Sequence, residues 1–227
     1  LVGWGVAIGA VLGLLIGAIT PIASPPPLGA ATVVEAGRFE PERPPEWDTI
    51  EARLLAATVA LRSRGCGPET RGTGVRVPGG LVITAGHVVT PATEVFVDGR
   101  PAGRPLVAPA IDVATVSSDG GRALPEAEVD PTPGEEVRVA GRSTGSTRVR
   151  VARVQGYRSG RDPGDPPTVM RLDVRADPGD SGGPVVDATG RLVGIVYATE
   201  RVTQLALVIP VSVLRLVLAG ALAPRGC

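Results

Sequence analysis

Two hydrophobic patterns divide the chain. Residues 1–19 read LVGWGVAIGAVLGLLIGAI, an apolar run without a charged side chain. At about 1.5 Å per residue this run approaches the ~30 Å hydrocarbon thickness, which predicts a transmembrane helix over 1–20. The competing reading is a secretory signal, but its apolar stretch is shorter and ends in small residues at a cleavage site, and Thr20-Pro21-Ile22-Ala23-Ser24 makes a poor one. Further along, the pattern shortens to Val-rich runs punctuated by Gly, Pro and Asp. They lie at 74–77, 81–84, 94–97, 113–116, 136–140, 147–155, 169–172, 184–186, 192–197 and 205–209. Strands at this spacing predict an all-β sandwich or pair of barrels. A short helix is expected to begin at 51 and to enter a strand at 58–61, and 211–222 has helical character. The Pro/Asp-rich gap 126–134 reads as the link between two halves.

Between the apolar run and the strands, residues 21–46 form a Pro-rich linker carrying Pro21, Pro25, Pro26, Pro27, Pro41, Pro44 and Pro45, which predicts an extended spacer. The folded domain is then expected over 47–227. With 31 Gly, 23 Pro and only 3% aromatic residues, the core must be built mainly from Val, Leu, Ala and Ile, and the composition argues against a long-helix bundle. The 23 acidic and 23 basic residues cancel, which argues against nucleic acid as a partner held by bulk positive charge. Gly9, Gly13 and Gly17 fall four apart and would line one helix face, where a second helix could approach closely. The chain has one histidine, His87, and two cysteines, Cys66 and Cys227, too few for a four-ligand zinc site without carboxylates. No metal or organic cofactor is expected.

The most specific stretch is Pro178-Gly179-Asp180-Ser181-Gly182-Gly183-Pro184. A serine among glycines can sit on a tight turn that aims backbone N–H groups at one point, as a tetrahedral oxyanion requires, and Gly179 and Ser181 are the expected donors. A serine hydroxyl needs a base to take its proton. His87, at the end of the strand-like Ile83-Thr84-Ala85-Gly86-His87, is the single imidazole available. Asp112, in Ile111-Asp112-Val113-Ala114, can orient that imidazole and stabilise its charged form. Asp98 is set aside because it lies in an Asp-Gly turn, which hairpin geometry explains.

The order His87, Asp112, Ser181, with TAGH, IDVA and GDSGGP, resembles the chymotrypsin-like (trypsin-fold) serine proteases. The short spacings, Asp173 eight residues before the serine, and the stretches 190–196 and 207–210 are closer to the bacterial HtrA-like branch. RLDVRADPGDSGGPVVD with a cysteine near each end of the domain, behind a membrane segment, most resembles the membrane-bound periplasmic acid-resistance serine proteases of mycobacteria. The resemblance implies two six-stranded antiparallel β-barrels with a C-terminal helix and an active site in the cleft between them. It also implies a membrane-anchored extracytoplasmic serine endopeptidase that acts on protein or peptide substrates. No Ile/Val-Val/Ile-Gly-Gly terminus precedes Thr73, so Asp180 is expected to order the serine loop in another way.

Arg175, six residues before the serine, would favour an acidic P1 side chain if the loop were built as in trypsin-like enzymes, and is simply exposed in an HtrA-like arrangement. The other candidate pocket walls are Tyr197-Ala198-Thr199 and the 205–207 segment with Ala206 at its centre, small or apolar residues whose default reading is an uncharged P1 side chain. Cys66 and Cys227 lie near the two ends of the domain, which predicts a disulfide contributing about 4 to 5 kcal/mol on the chain-entropy model. Two alternatives remain open at this point: a catalytically inactive protease-fold binding or stress-sensing module, and acyl transfer on esters by the same three residues.

Overall fold

The computed structural model describes residues 45–90, 92–108, 110–142, 146–161, 165–220 and 222–224, with side chains from 49 onward. The expected membrane span, with Gly9, Gly13 and Gly17, lies outside the described residues, as does Cys227. Among the described residues no helix is long and apolar enough to cross a membrane.

Helix α1 (Pro45–Ala57) begins inside the stretch expected as linker, with proline in its first turn, where the ring costs no hydrogen bond. It buries Ile50 and Leu54 and runs directly into strand β1 (Thr58–Arg64), close to the predicted changeover. The N-terminal sheet continues through β2 (Thr70–Val77), β3 (Leu81–Ala85), a single helical turn α2 (Gly86–Val89), β4 (Glu94–Val97), β5 (Arg100–Pro101), β6 (Leu106–Ala108) and β7 (Val113–Ser117). The second half holds β8 (Glu136–Gly141), β9 (Arg148–Ser159), β10 (Thr168–Arg175), β11 (Pro184–Val186), β12 (Leu192–Thr199) and β13 (Leu205–Pro210), then helix α3 (Val211–Ala219) and β14 (Ala223–Pro224).

One of the two expected barrels closes and the other does not. The second half forms a closed six-stranded barrel in the order β10-β13-β12-β11-β8-β9, whereas the first is an open eight-stranded sheet, β14-β6-β7-β3-β2-β1-β4-β5. Strands β5 and β6 are successive pieces of one stretch that reaches both β4 and β7: Ala102 N–H donates to Val95 O at 2.9 Å and Gly103 N–H donates to Ser117 O at 3.0 Å, and the ladder breaks between the two pieces. The C-terminal strand β14 lies on the edge of β6, through Ala223 opposite Val107. Prediction from runs of hydrophobic residues passed over β5, β6 and β14 because two- and three-residue strands are too short to show an alternation.

Strand β12 joins the halves. Its continuous apolar run is buried on both faces, with Val193 and Val196 inside the closed barrel and Leu192, Ile195 and Tyr197 in the cluster that fills the open sheet. The predicted link at 126–134 is pinned against this strand: Leu192 N–H donates to Pro125 O at 2.8 Å and Ala127 N–H donates to Leu192 O at 2.9 Å.

Candidate active site

Three backbone features deliver His87, Asp112 and Ser181. Strand β3 ends at Ala85 and the chain turns at once into α2, so His87 emerges at the sheet's end with its side chain half exposed. Asp112 occupies the residue before β7 with φ +54°, a left-handed conformation that aspartate tolerates better than most residues. Both of its carboxylate oxygens face the histidine: Nδ1 lies 2.7 Å from Oδ2, and the His87 backbone N–H donates to Oδ1 at 2.8 Å. Gly86 N–H donates to the Asp112 carbonyl at 2.8 Å. A side chain at Gly86 would bring its Cβ to 3.0 Å from Oδ1, so the glycine makes room for the carboxylate. The imidazole is therefore fixed through Nδ1, and Nε2 is left to exchange a proton.

The serine turn docks on the same sheet. Thr73 N–H donates to the Ser181 carbonyl at 2.8 Å, and the Thr73 hydroxyl donates to Gly179 O at 2.7 Å while accepting the Arg142 N–H at 2.8 Å. Gly182, at φ +84°, sits so close to β2 that a Cβ would fall 1.9 Å from Thr73 O. Gly72, next along β2, is flanked by Val88 of the histidine helix on one side and the Ser181 carbonyl on the other; its Cβ would lie 2.6 Å from the former and 3.0 Å from the latter. The histidine turn and the serine turn thus converge on one pair of residues, Gly72 and Thr73. The Ser181 hydroxyl makes no hydrogen bond among the described residues.

Within the serine turn, the amides fall into two groups. Those of Asp180, Gly182 and Gly183 are engaged by Asp177 O, Val196 O and Asp180 O at 3.0, 2.6 and 2.7 Å. Those of Gly179 and Ser181, the pair expected to face an oxyanion, donate to nothing among the described residues.

Asp180 is buried, and its carboxylate accepts from the Arg150 guanidinium of β9 at 2.5 Å and from Asp177 N–H at 2.8 Å. An internal arginine thus pairs with the buried carboxylate, consistent with the expectation that Asp180 orders the loop. Sequence reasoning missed Thr73 and Arg150. The Gly-Thr-Gly at 72–74 could have flagged the first, as a polar residue between two glycines in a strand; nothing in the alternating RVRVAR run distinguishes the second. Asp98 stands in the turn between β4 and β5, where it caps Ala60 N–H and pairs with Arg142.

Tyr197, Ala198 and Thr199 line a cleft of about 490 Å³, together with Leu207. Val196, the residue before them, exchanges two hydrogen bonds with Gly182 and Gly183, so the cleft opens one residue away from the serine turn. Ala206 is buried inside the barrel, and Arg175 is exposed, its carbonyl holding Arg150; neither lines this cleft. Burial, and after it the charge of Asp165, pushes the Tyr197 phenol well above its ordinary range, so its hydroxyl stays protonated and donates to Asp165 Oδ1 at 3.2 Å. Glu200 is held below the usual carboxylate range by the Thr203 hydroxyl first, with Arg171 adding to it.

Residues 72–195 match the family model of the trypsin-like peptidase domain, over half of the chain. The chain belongs to that family. Such membership makes it a serine endopeptidase, a hydrolase of chymotrypsin fold. Among solved structures, the active form of the Rv3671c protease from M. tuberculosis is 25% identical, with 92% of this chain and 97% of that one covered and a TM-score of 0.69. The inactive form of the Rv3671c protease is 26% identical over 76% of this chain and 93% of that one, at a TM-score of 0.65. The HtrA-type protease AlgW, solved with a tripeptide, shares the fold at 22% identity, covering 77% of this chain and 62% of that one, with a TM-score of 0.68. No curated protein matches the chain.

Proposed function

We propose that the protein is a membrane-tethered, extracytoplasmic endopeptidase in which Ser181, His87 and Asp112 form the catalytic triad. The observation that carries the reading is the double contact of Asp112 with His87, at 2.7 Å to the ring and 2.8 Å to the backbone, which fixes the imidazole's tautomer beside a serine turn docked on the same sheet. His87 Nε2 takes the hydroxyl proton as Ser181 Oγ attacks the scissile carbonyl carbon. The contact between hydroxyl and imidazole closes when substrate is bound, as catalytic hydrogen bonds commonly do. The carbonyl oxygen becomes an oxyanion held by the Gly179 and Ser181 amides. Collapse of the tetrahedral adduct breaks the C–N bond, and His87 returns its proton to the leaving amine. Water, activated by His87, then attacks the acyl-enzyme ester and frees Ser181.

The anchor reading rests on the charge-free run at 1–19, long enough for a bilayer, and the Pro-rich spacer after it would hold the protease clear of the membrane. A Cys66–Cys227 disulfide belongs to the same proposal, because β14 returns the end of the chain to the sheet that carries β1, the strand Cys66 follows. An oxidising compartment suits such a bond. A fluorophosphonate probe tests the core of the reading: wild type is expected to be labelled and Ser181→Ala to stay blank. Equal blankness of both, under conditions in which the chain is folded, would leave an inactive binding module.

A further inference from the structure

We infer that the cleft beyond β12 receives a carboxylate side chain of the substrate polypeptide, with Arg158 and Arg171 as its cationic walls. The inference rests on the protease reading and narrows its substrate class to chains carrying an acidic residue close to the scissile bond.

Position comes first. The cleft begins at Tyr197, directly after the residue that hydrogen-bonds the serine turn, and the Tyr197 hydroxyl donates to Asp165 within it. An extended substrate lying across Ser181 therefore has side chains within reach of it. Charge comes second. Among the described residues, Arg158, Arg161, Arg171 and Arg201 line the cleft against two carboxylates, Asp165 and Glu200, in a protein whose overall charge is zero. The strand walls are as small and neutral as the sequence suggests; the arginines arrive from β9, β10 and the loops beside them.

The cations are only partly compensated. Arg171 Nη2 meets Glu200 at 3.0 Å, whereas Arg158 approaches Asp165 no closer than 3.8 Å in their ion pair, beyond hydrogen-bond reach. The Nε–H groups of both arginines are buried and lack a hydrogen-bond partner among the described residues. A donor left in that condition carries its full desolvation penalty, which an anion close to the guanidinium offsets. Register explains why the two act together. Arg158 lies opposite Val169, and Arg171 is two residues beyond Val169, so both arginines project from one face of the β9–β10 pair as diagonal neighbours. The residue opposite Arg171 is Gly156, where even an added Cβ would meet nothing within 4 Å, so β9 presents no side chain across from Arg171 at that position. A cleft of about 490 Å³ accommodates a glutamate side chain with its neighbouring backbone.

The test compares matched peptides that differ only by Glu or Gln, placed in turn at each of the residues preceding the cleaved bond, with the full-length protein in detergent. At one position kcat/KM is expected to favour Glu by about tenfold or more, the size of one charge-assisted hydrogen bond. Arg171→Gln and Arg158→Gln should each pull that ratio toward one, and Arg171→Lys, which keeps the charge, should retain part of it. Binding of the same peptides to Ser181→Ala, measured by fluorescence anisotropy, should show the Glu preference without turnover. Equal affinity of Ser181→Ala for the Glu and Gln peptides, together with equal kcat/KM at every position in wild type, overturns the inference. Failure of the fluorophosphonate to label wild type is a separate result that overturns the protease reading, and the anisotropy measurement still decides whether the cleft selects carboxylates.

Discussion

At the scale of single residues, the site depends on where protons and charges are held. Asp112 acts through His87, so Asp112→Asn should leave the fold intact and slow turnover by roughly 10³- to 10⁴-fold, since an amide stabilises the wrong tautomer. Steady-state kinetics on any cleaved peptide checks this, and His87→Ala and Ser181→Ala should each lose cleavage outright. Glu200 makes a different prediction. Its pKa is depressed by the Thr203 hydroxyl and then by Arg171, so its pairing stabilises the native state above the free-carboxyl range and is lost as pH falls through the lowered value. Carboxyl NMR shifts followed across acid pH should place Glu200 below 4.5, and Thr203→Val should move it back up. His87, Asp112 and Ser181 were legible as residues because each sits in a short motif of unusual composition. Thr73 and Arg150 were not, because a threonine in a strand and an arginine in an alternating run look like ordinary sheet until their partners are known.

At the scale of elements, the decisive contacts join pieces far apart in the chain. The serine turn is fastened to β2 by Thr73 and to β9 by Arg150 through the buried Asp180. Arg150→Met would strand a buried carboxylate, and a loss of about 2 to 4 kcal/mol is expected, read as a drop in the urea midpoint. Labelling by fluorophosphonate should fall as well, because the loop that carries the two free amides loses its anchor; Asp180→Asn in the same chain should recover stability better than activity. Gly182→Ala should fail more severely than an ordinary surface substitution. Its φ is +84° and its Cβ would sit 1.9 Å from Thr73 O, so the turn must separate from β2. Strand identity was readable where a run was long enough to alternate, as in β9, or was continuously apolar over several residues, as in β12. It was unreadable in β5, β6 and β14, whose pairing partners alone make them strands.

For the whole molecule, the return of the chain end to the N-terminal sheet is the feature with the largest consequence. β14 pairs with the edge of β6, and a Cys66–Cys227 bond would lock that return. Non-reducing peptide mapping should find the two cysteines linked, and Cys66→Ser should lower the melting temperature by on the order of 10 °C, the effect of removing a long-loop disulfide from a domain of this size. From its order of residues alone, the chain specified an all-β domain, the three residues proposed as a triad and a glycine-flanked serine turn, because these depend on local alternation and on short motifs. Tertiary structure alone decided that one barrel stays open, that Arg150 takes the buried aspartate, and that arginines from β9 and β10 converge beside neutral β12. Those outcomes depend on strand order and register, which bring together residues that no local pattern relates.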